Sequence, residues 1–177
     1  MASTAEDVEI RVGDPFDAEA QMGPLAMERQ RARVEGYIAA GRAEGARLAC
    51  GGGRPAHLGR GYYVEPTLFS GVTSGMKIAQ EEIFGPVLSV LACDGEDDAV
   101  RIANDSQFGL YGAVFTRDKE RAYRVARGVR AGTFTQNVFR FDPAFPFGGF
   151  RQSGFGREGG PEGLSSYTEL KTVLFDS

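Results

Sequence analysis

The stretch SGFGREGG, Ser153 to Gly160, sets Gly154, Gly156 and Gly159 at G-x-G-x-x-G spacing, the pattern that lets a backbone cradle a dinucleotide pyrophosphate. That chemistry needs a strand before the glycines, a helix opening on them, and an acidic ribose ligand about 20 residues further on. No strand pattern precedes Gly154, and the residues after Gly159 leave no room for that acid and the strands that follow it. The spacing is therefore read as a coincidence within a glycine-rich loop. Two cysteines are the other candidates for chemistry. Cys50 and Cys93 each end an apolar run, RLAC and VLAC, the place of a small hydrophobe at a strand end, and both are expected to be buried. His57, the only histidine, sits in GGGRPAHLGRG and is read as a loop residue. One histidine assembles neither a multi-histidine metal site nor a Cys–His nucleophile pair, so no metal is expected.

The elements that must position any site follow from patterning. With 177 residues, 42% of them apolar and 25% charged, the chain has the composition of a globular protein with its own core. No window approaches a membrane span, and MASTAEDVEI lacks the basic and apolar regions of a secretory leader, so a cytoplasmic protein with no membrane partner is expected. A net charge of −4 without a basic stripe argues against nucleic acid as a partner. The segment PLAMERQRARVEGYIAAGRAEG predicts a helix from Pro24 to a stop at Gly45, with Val34, Tyr37 and Ile38 on one face. ARLAC and YYVEPTLF predict strands, the second irregular at Pro66. VLSVLAC, DGEDDAVRIAND, YGAVFT, RDKERAYRVARGV and AGTFTQN then alternate as strand, helix, strand, helix, strand, which predicts an α/β sheet of parallel strands covered by helices. A long aromatic and glycine-rich loop, FRFDPAFPFGGFRQSGFGREGGPEG, follows, of a length that is usually functional. SSYTELKTVLF predicts a terminal strand that pairs outside its own domain.

The order of QEEIFGPVLSV, IANDSQFGLYGAVFTRD, AGTFTQN, PFGGFRQSGFGREGG and YTELKTV resembles the C-terminal part of the NAD(P)-dependent aldehyde dehydrogenases, from about VGDPFD onward. EEIFGPV and PFGG-x-x-x-SG-x-GRE in that order are the specific signals. The resemblance implies a parallel-stranded, Rossmann-like partial catalytic domain over residues 1–164 and an oligomerisation strand over 165–177. It implies that Glu82 accepts hydrogen bonds from the nicotinamide-ribose hydroxyls, a role suited to an acceptor-only carboxylate, and that Phe84 packs beside the nicotinamide end. It places Phe147, and more loosely Phe141, along the aldehyde tunnel, and makes Glu158 a proton relay through water. Other readings stay open: a solvated strand-edge charge for Glu82, ordinary packing for the two phenylalanines, and a partner of Arg157 for Glu158.

The family's chemistry also needs a cysteine nucleophile, an oxyanion hole and a glutamate base. The G-Q-x-C and E-L-G-G strings that carry the nucleophile and base in the family are missing from this sequence, and Cys50 and Cys93 stand in other contexts. The chain is therefore expected to be a fragment, inactive alone and binding no cofactor by itself, with NAD or NADP and an aldehyde entering only in a complete enzyme. It is expected to self-associate as a homo-oligomer, a dimer or larger; the alternative function is a non-catalytic module for self-association or subunit docking.

Overall fold

The computed structural model describes residues 10–176. The stretch read for a leader falls almost entirely outside the described residues. The chain divides into two compact units, Met1–Ala92 and Cys93–Ser177.

In the first unit, α1 (Glu28–Ala43) buries Val34, Tyr37, Ile38 and Gly41, the i, i+3, i+4, i+7 stripe. Glu28 in its first turn and Arg42 in its last complement the helix dipole, and Gly45, at φ 91°, turns the chain out of the helix. The helix begins later than Pro24 because the Leu25 amide donates to the Tyr62 carbonyl at 3.0 Å, which holds this stretch outside the helix. β1 (Arg47–Cys50) runs antiparallel to β2 (Thr67–Ser70), with a bulge between Leu48 and Cys50, and β2 runs parallel to β3 (Val87–Ser89). β2 starts only after Pro66, which has no amide proton to give a ladder. α2 (Lys77–Gln80) precedes β3. Phe69 and Val34, both at 0% exposure, centre a core with Ile38, Val64, Val72, Ile78 and Ile83. Each fully buried side chain of this size contributes about 1.5–3 kcal/mol.

The second unit carries α3 (Glu96–Asn104), β4 (Tyr111–Val114), α4 (Lys119–Gly128), β5 (Thr133–Gln136) and α5 (Gly160–Leu164). β4 and β5 pair in parallel, Tyr111 opposite Thr133. Asp118 caps α4 by accepting from the Glu120 and Arg121 amides at 2.9 and 3.1 Å. Glu96 ties α3 to α4 through Arg121 at 2.8 Å and Arg124 at 3.4 Å. At the start of β5, a Cβ on Gly132 would overlap the Gly148 carbonyl, so the long loop lies directly on the strand only because residue 132 has no side chain.

Mixed α/β architecture with parallel strands is thus observed, but the strands are shared out differently from the pattern. β3 belongs with β1 and β2, while β4 and β5 form a sheet of their own. A helix of α3's length serves equally to cross one sheet or to lead into a second unit, so alternation alone does not distinguish them. Cys50 and Cys93 are both exposed. Cys50 lies beyond the bulge on β1, which pairs on one side only, and Cys93 follows the end of the β3 ladder. The expected terminal strand does not form within the chain: Ser165–Tyr167 make a 3-10 turn and residues 168–176 join no ladder. Tyr167, Leu170, Leu174 and Phe175 there are exposed, and among the described residues no strand pairs with this segment.

Candidate functional site

Glu82 and Phe84 sit in the loop that leads from α2 into β3. Ile83 between them is buried in the core, while Glu82 is exposed and Phe84 is 73% exposed. The buried neighbour anchors the loop and leaves the flanking side chains toward solvent. Phe84 takes φ 57°, a left-handed conformation that costs a non-glycine residue about 1–2 kcal/mol. Both residues line an open recess of about 380 Å³ with Ile78, Gly85, Val87 and Ser89. Among the described residues the Glu82 carboxylate forms no ion pair. A free carboxylate beside an exposed aromatic ring has the chemistry to accept two vicinal hydroxyls and cover the flat group attached to them. An acceptor and a ring side by side are what a sugar diol carrying a flat group would need.

Three residues of α1 hold this loop: Tyr37, which patterning placed on the buried face, and Gln30 and Arg33, which it did not single out. Gln30 Nε2 donates to the carbonyls of Ile83 at 3.2 Å and Phe84 at 2.6 Å, and Arg33 donates to the Glu82 carbonyl at 2.8 Å. The Tyr37 hydroxyl donates to Glu81 Oε2 at 2.8 Å, and this hydrogen bond, with burial, raises the Tyr37 pKa. Gln30 and Arg33 share one helix face with Val34 and Tyr37, the signal from which they could have been found.

The second unit brings together Phe141, Phe147 and Glu158. Phe147 and Glu158 exchange backbone hydrogen bonds of 2.7 Å in an antiparallel bridge. Residues paired in this way project to the same face, and both line a cleft of about 610 Å³ with Leu110, Ser153 and Tyr167. The Phe141 and Phe147 rings meet edge to face at 5.3 Å, and both also line a second cleft of about 590 Å³ against Thr133 and Thr135 of β5. Arg157 does not pair with Glu158. It donates to the carbonyls of Gly149 and Gly156 at 3.1 and 2.7 Å, which leaves the Glu158 side chain exposed.

Gly154, Gly156 and Gly159 follow the 3-10 turn Arg151–Ser153 rather than a strand, and Gly159 caps the five-residue α5. A dinucleotide turn is therefore not built here. His57 is exposed in its loop, with Nε2 3.2 Å from the Val12 carbonyl. Among the described residues no group of three His, Cys, Asp or Glu side chains is placed to hold a metal ion, and no helix is long and apolar enough to cross a membrane.

The model of the aldehyde dehydrogenase family matches residues 1–173. A betaine aldehyde dehydrogenase of Mesorhizobium japonicum is 51% identical over 171 residues, 95% of this chain and 35% of that protein. Its counterpart in Brucella anthropi is 51% identical over 170 residues, 94% of this chain and 35% of that protein. A crystal structure of a Mycobacterium tuberculosis aldehyde dehydrogenase complexed with NAD+ superposes with a TM-score of 0.92 at 53% identity, over 94% of this chain and 35% of that one. The chain thus spans about a third of the length of these relatives. With a family model matched over nearly its whole length, the chain belongs to the aldehyde dehydrogenase family.

Proposed function

We propose that this chain is the C-terminal part of an NAD(P)-dependent aldehyde dehydrogenase, an enzyme that oxidises an aldehyde to a carboxylic acid, and that it does not run the reaction alone. In this reading residues 1–164 are part of the catalytic domain and 165–177 an oligomerisation segment. The observation that carries it is the free Glu82 carboxylate beside the exposed Phe84 ring, on a loop fastened to α1, in a chain of this family.

When bound, the nicotinamide cofactor supplies the two-electron acceptor for the aldehyde. The residues here bind and orient. Glu82 accepts the ribose hydroxyl hydrogens and fixes the sugar, and Phe84 packs beside the ring and keeps water from that side. Phe141 and Phe147 line the aldehyde path, their edge-to-face contact fixing its width. Glu158, held by its backbone to Phe147, takes and returns a water proton at its carboxylate. The neighbour with NAD+ bound supports a nicotinamide cofactor, and the betaine aldehyde dehydrogenases make betaine aldehyde the first substrate to test.

The test uses the chain alone and the Mycobacterium tuberculosis enzyme carrying this chain in place of its matching third. The hybrid should oxidise an aldehyde with NAD+, Glu82→Ala in it should weaken cofactor binding, and the isolated chain should show no turnover. Turnover by the isolated chain that survives loss of both Cys50 and Cys93 would overturn the reading. A second reading, a non-catalytic self-association or docking module, is favoured by the exposed, unpaired segment after Tyr167. If it holds, the chain sediments as a dimer or larger and a chain ending at Leu164 does not.

A further inference from the structure

We infer that Gln30 and Arg33 of α1 are positioning residues, which fix the backbone of residues 82–84 and through it the Glu82 carboxylate and the Phe84 ring. The inference rests on the proposed role of that loop at the cofactor. Three successive carbonyls, those of Glu82, Ile83 and Phe84, accept hydrogen bonds from these two side chains. The neighbouring positions are fastened to the same helix. Tyr37 donates to Glu81 at 2.8 Å, and Gly85 is pressed so closely against Val34 that a Cβ would overlap the valine methyl. Residues 81 to 85 are therefore held one after another by a single face of α1.

The loop needs such a hold. Phe84 is in the left-handed region, which a free loop leaves readily, because the conformation is unfavourable for a side chain with a Cβ. Ile83 anchors one side chain in the core but does not set the peptide planes on either side of it. Those planes are set by what their carbonyls accept from. With the Gln30 and Arg33 donors removed, the carbonyls turn to water, Phe84 relaxes toward ordinary φ, and Glu82 and Phe84 no longer share one arrangement. Affinity for the cofactor then falls in proportion to the fraction of molecules still in the competent arrangement.

The test compares Gln30→Met, which keeps the length and loses the donor, Arg33→Met, the double variant, and Arg33→Lys, which keeps a cation. In the isotopically labelled 177-residue chain, backbone order parameters of residues 82–85 should drop from about 0.85 to below about 0.6 in the double variant and recover in part in Arg33→Lys. In the hybrid enzyme the double variant should bind NAD+ about tenfold more weakly while KM for the aldehyde stays unchanged. Thermal melts check folding, and Gln30→Asn replaces Gln30→Met if the latter does not fold. Unchanged order parameters overturn the inference. So does a lost loop order with unchanged NAD+ affinity where Glu82→Ala weakens binding. If Glu82→Ala leaves NAD+ affinity intact, the cofactor reading of the loop falls instead, and the order parameters alone decide whether the clamp exists.

Discussion

Replacing Gly85 with alanine tests the packing that brings the Glu82 loop onto α1. A Cβ at position 85 would overlap Cγ2 of Val34 and lie 3.0 Å from its Cγ1 and 3.3 Å from its Cβ. Val34 is at 0% exposure, inside the core, and has no space to withdraw into. Gly85 is not among the glycines with positive φ, so glycine is needed there for room and not for backbone conformation. Forcing one methyl into such a contact costs about 1–3 kcal/mol. Val34→Ala by itself removes two buried methyls and costs about 1.5–3 kcal/mol. In the double variant the new methyl occupies the space the old ones vacated, so the combined cost should fall short of the sum by at least about 1 kcal/mol. Urea unfolding of the four proteins measures the whole cycle. Costs that add to within about 0.3 kcal/mol would refute the argument, since the two positions would then not share a contact.

Acid should destabilise the chain. Hydrogen bonds from Arg54 to Glu35, from Arg121 to Glu96 and from the Asp94 amide to Asp98 each hold a carboxyl below its ordinary pKa. A depressed folded pKa means that the unfolded chain takes up the proton first, so this stability is present above about pH 4.5 and is lost as pH falls through the folded values. The urea midpoint should drop across that window and drop less in Glu96→Gln; a flat midpoint would contradict these pairs. Tyr37, raised by its hydrogen bond to Glu81, should ionise above the ordinary tyrosine value in an ultraviolet titration and should move back in Glu81→Gln. Its contribution to stability is complete below about pH 10 and is lost as pH rises through the raised value. Asp118→Ala should cost about 1 kcal/mol through the lost cap of α4, seen as an earlier urea transition, and an unchanged transition would remove the cap from the account.

Much of the local structure was legible in the residues because it is decided locally. Gly45 follows the end of α1, and the strings DGEDDAVRIAND and RDKERAYRVARGV hold α3 and α4. What was not legible depends on partners distant in sequence. β3 has the apolar run of any interior strand, and only its pairing with β2 assigns it to a sheet. The start of α1 moved because Leu25 is bonded to Tyr62, which no window around Pro24 contains. The exposure of Cys50 and Cys93 has the same origin, since an apolar run marks a strand without saying whether it lies at a sheet edge, as β1 does, or where its ladder stops, as β3's does before Cys93. At the site, the EEIFGPV motif pointed to Glu82 and Phe84, whereas Gln30 and Arg33 lie roughly fifty residues earlier, on a helix whose polar residues look solvated in sequence.

The second unit shows how a chain of this family can hold its elements in place while leaving much of their apolar surface uncovered. Among the described residues of Cys93–Ser177, Ala122 is the only buried hydrophobic side chain, while Phe115, Phe139 and Phe155 are 79%, 78% and 103% exposed. Among the described residues the β4–β5 pair has no further strand on either side, and two strands alone are marginal in water. What fixes this unit is polar and steric. Asn104 accepts from the Arg130 amide and donates to the Gly128 carbonyl, each at 2.8 Å, and Arg151 donates to the carbonyls of Asn104 and Ser106. The glycine contact at residues 132 and 148 locks the long loop to the start of β5. Such bonds set geometry, but each contributes only about 1 kcal/mol net and none removes apolar area from water. Within the described residues of this unit the hydrophobic term is accordingly small. The same division explains why Phe141, Phe147 and Glu158 are already arranged about one another: their geometry is set by backbone bonds and close contacts, while the burial of their surroundings is left to whatever covers them.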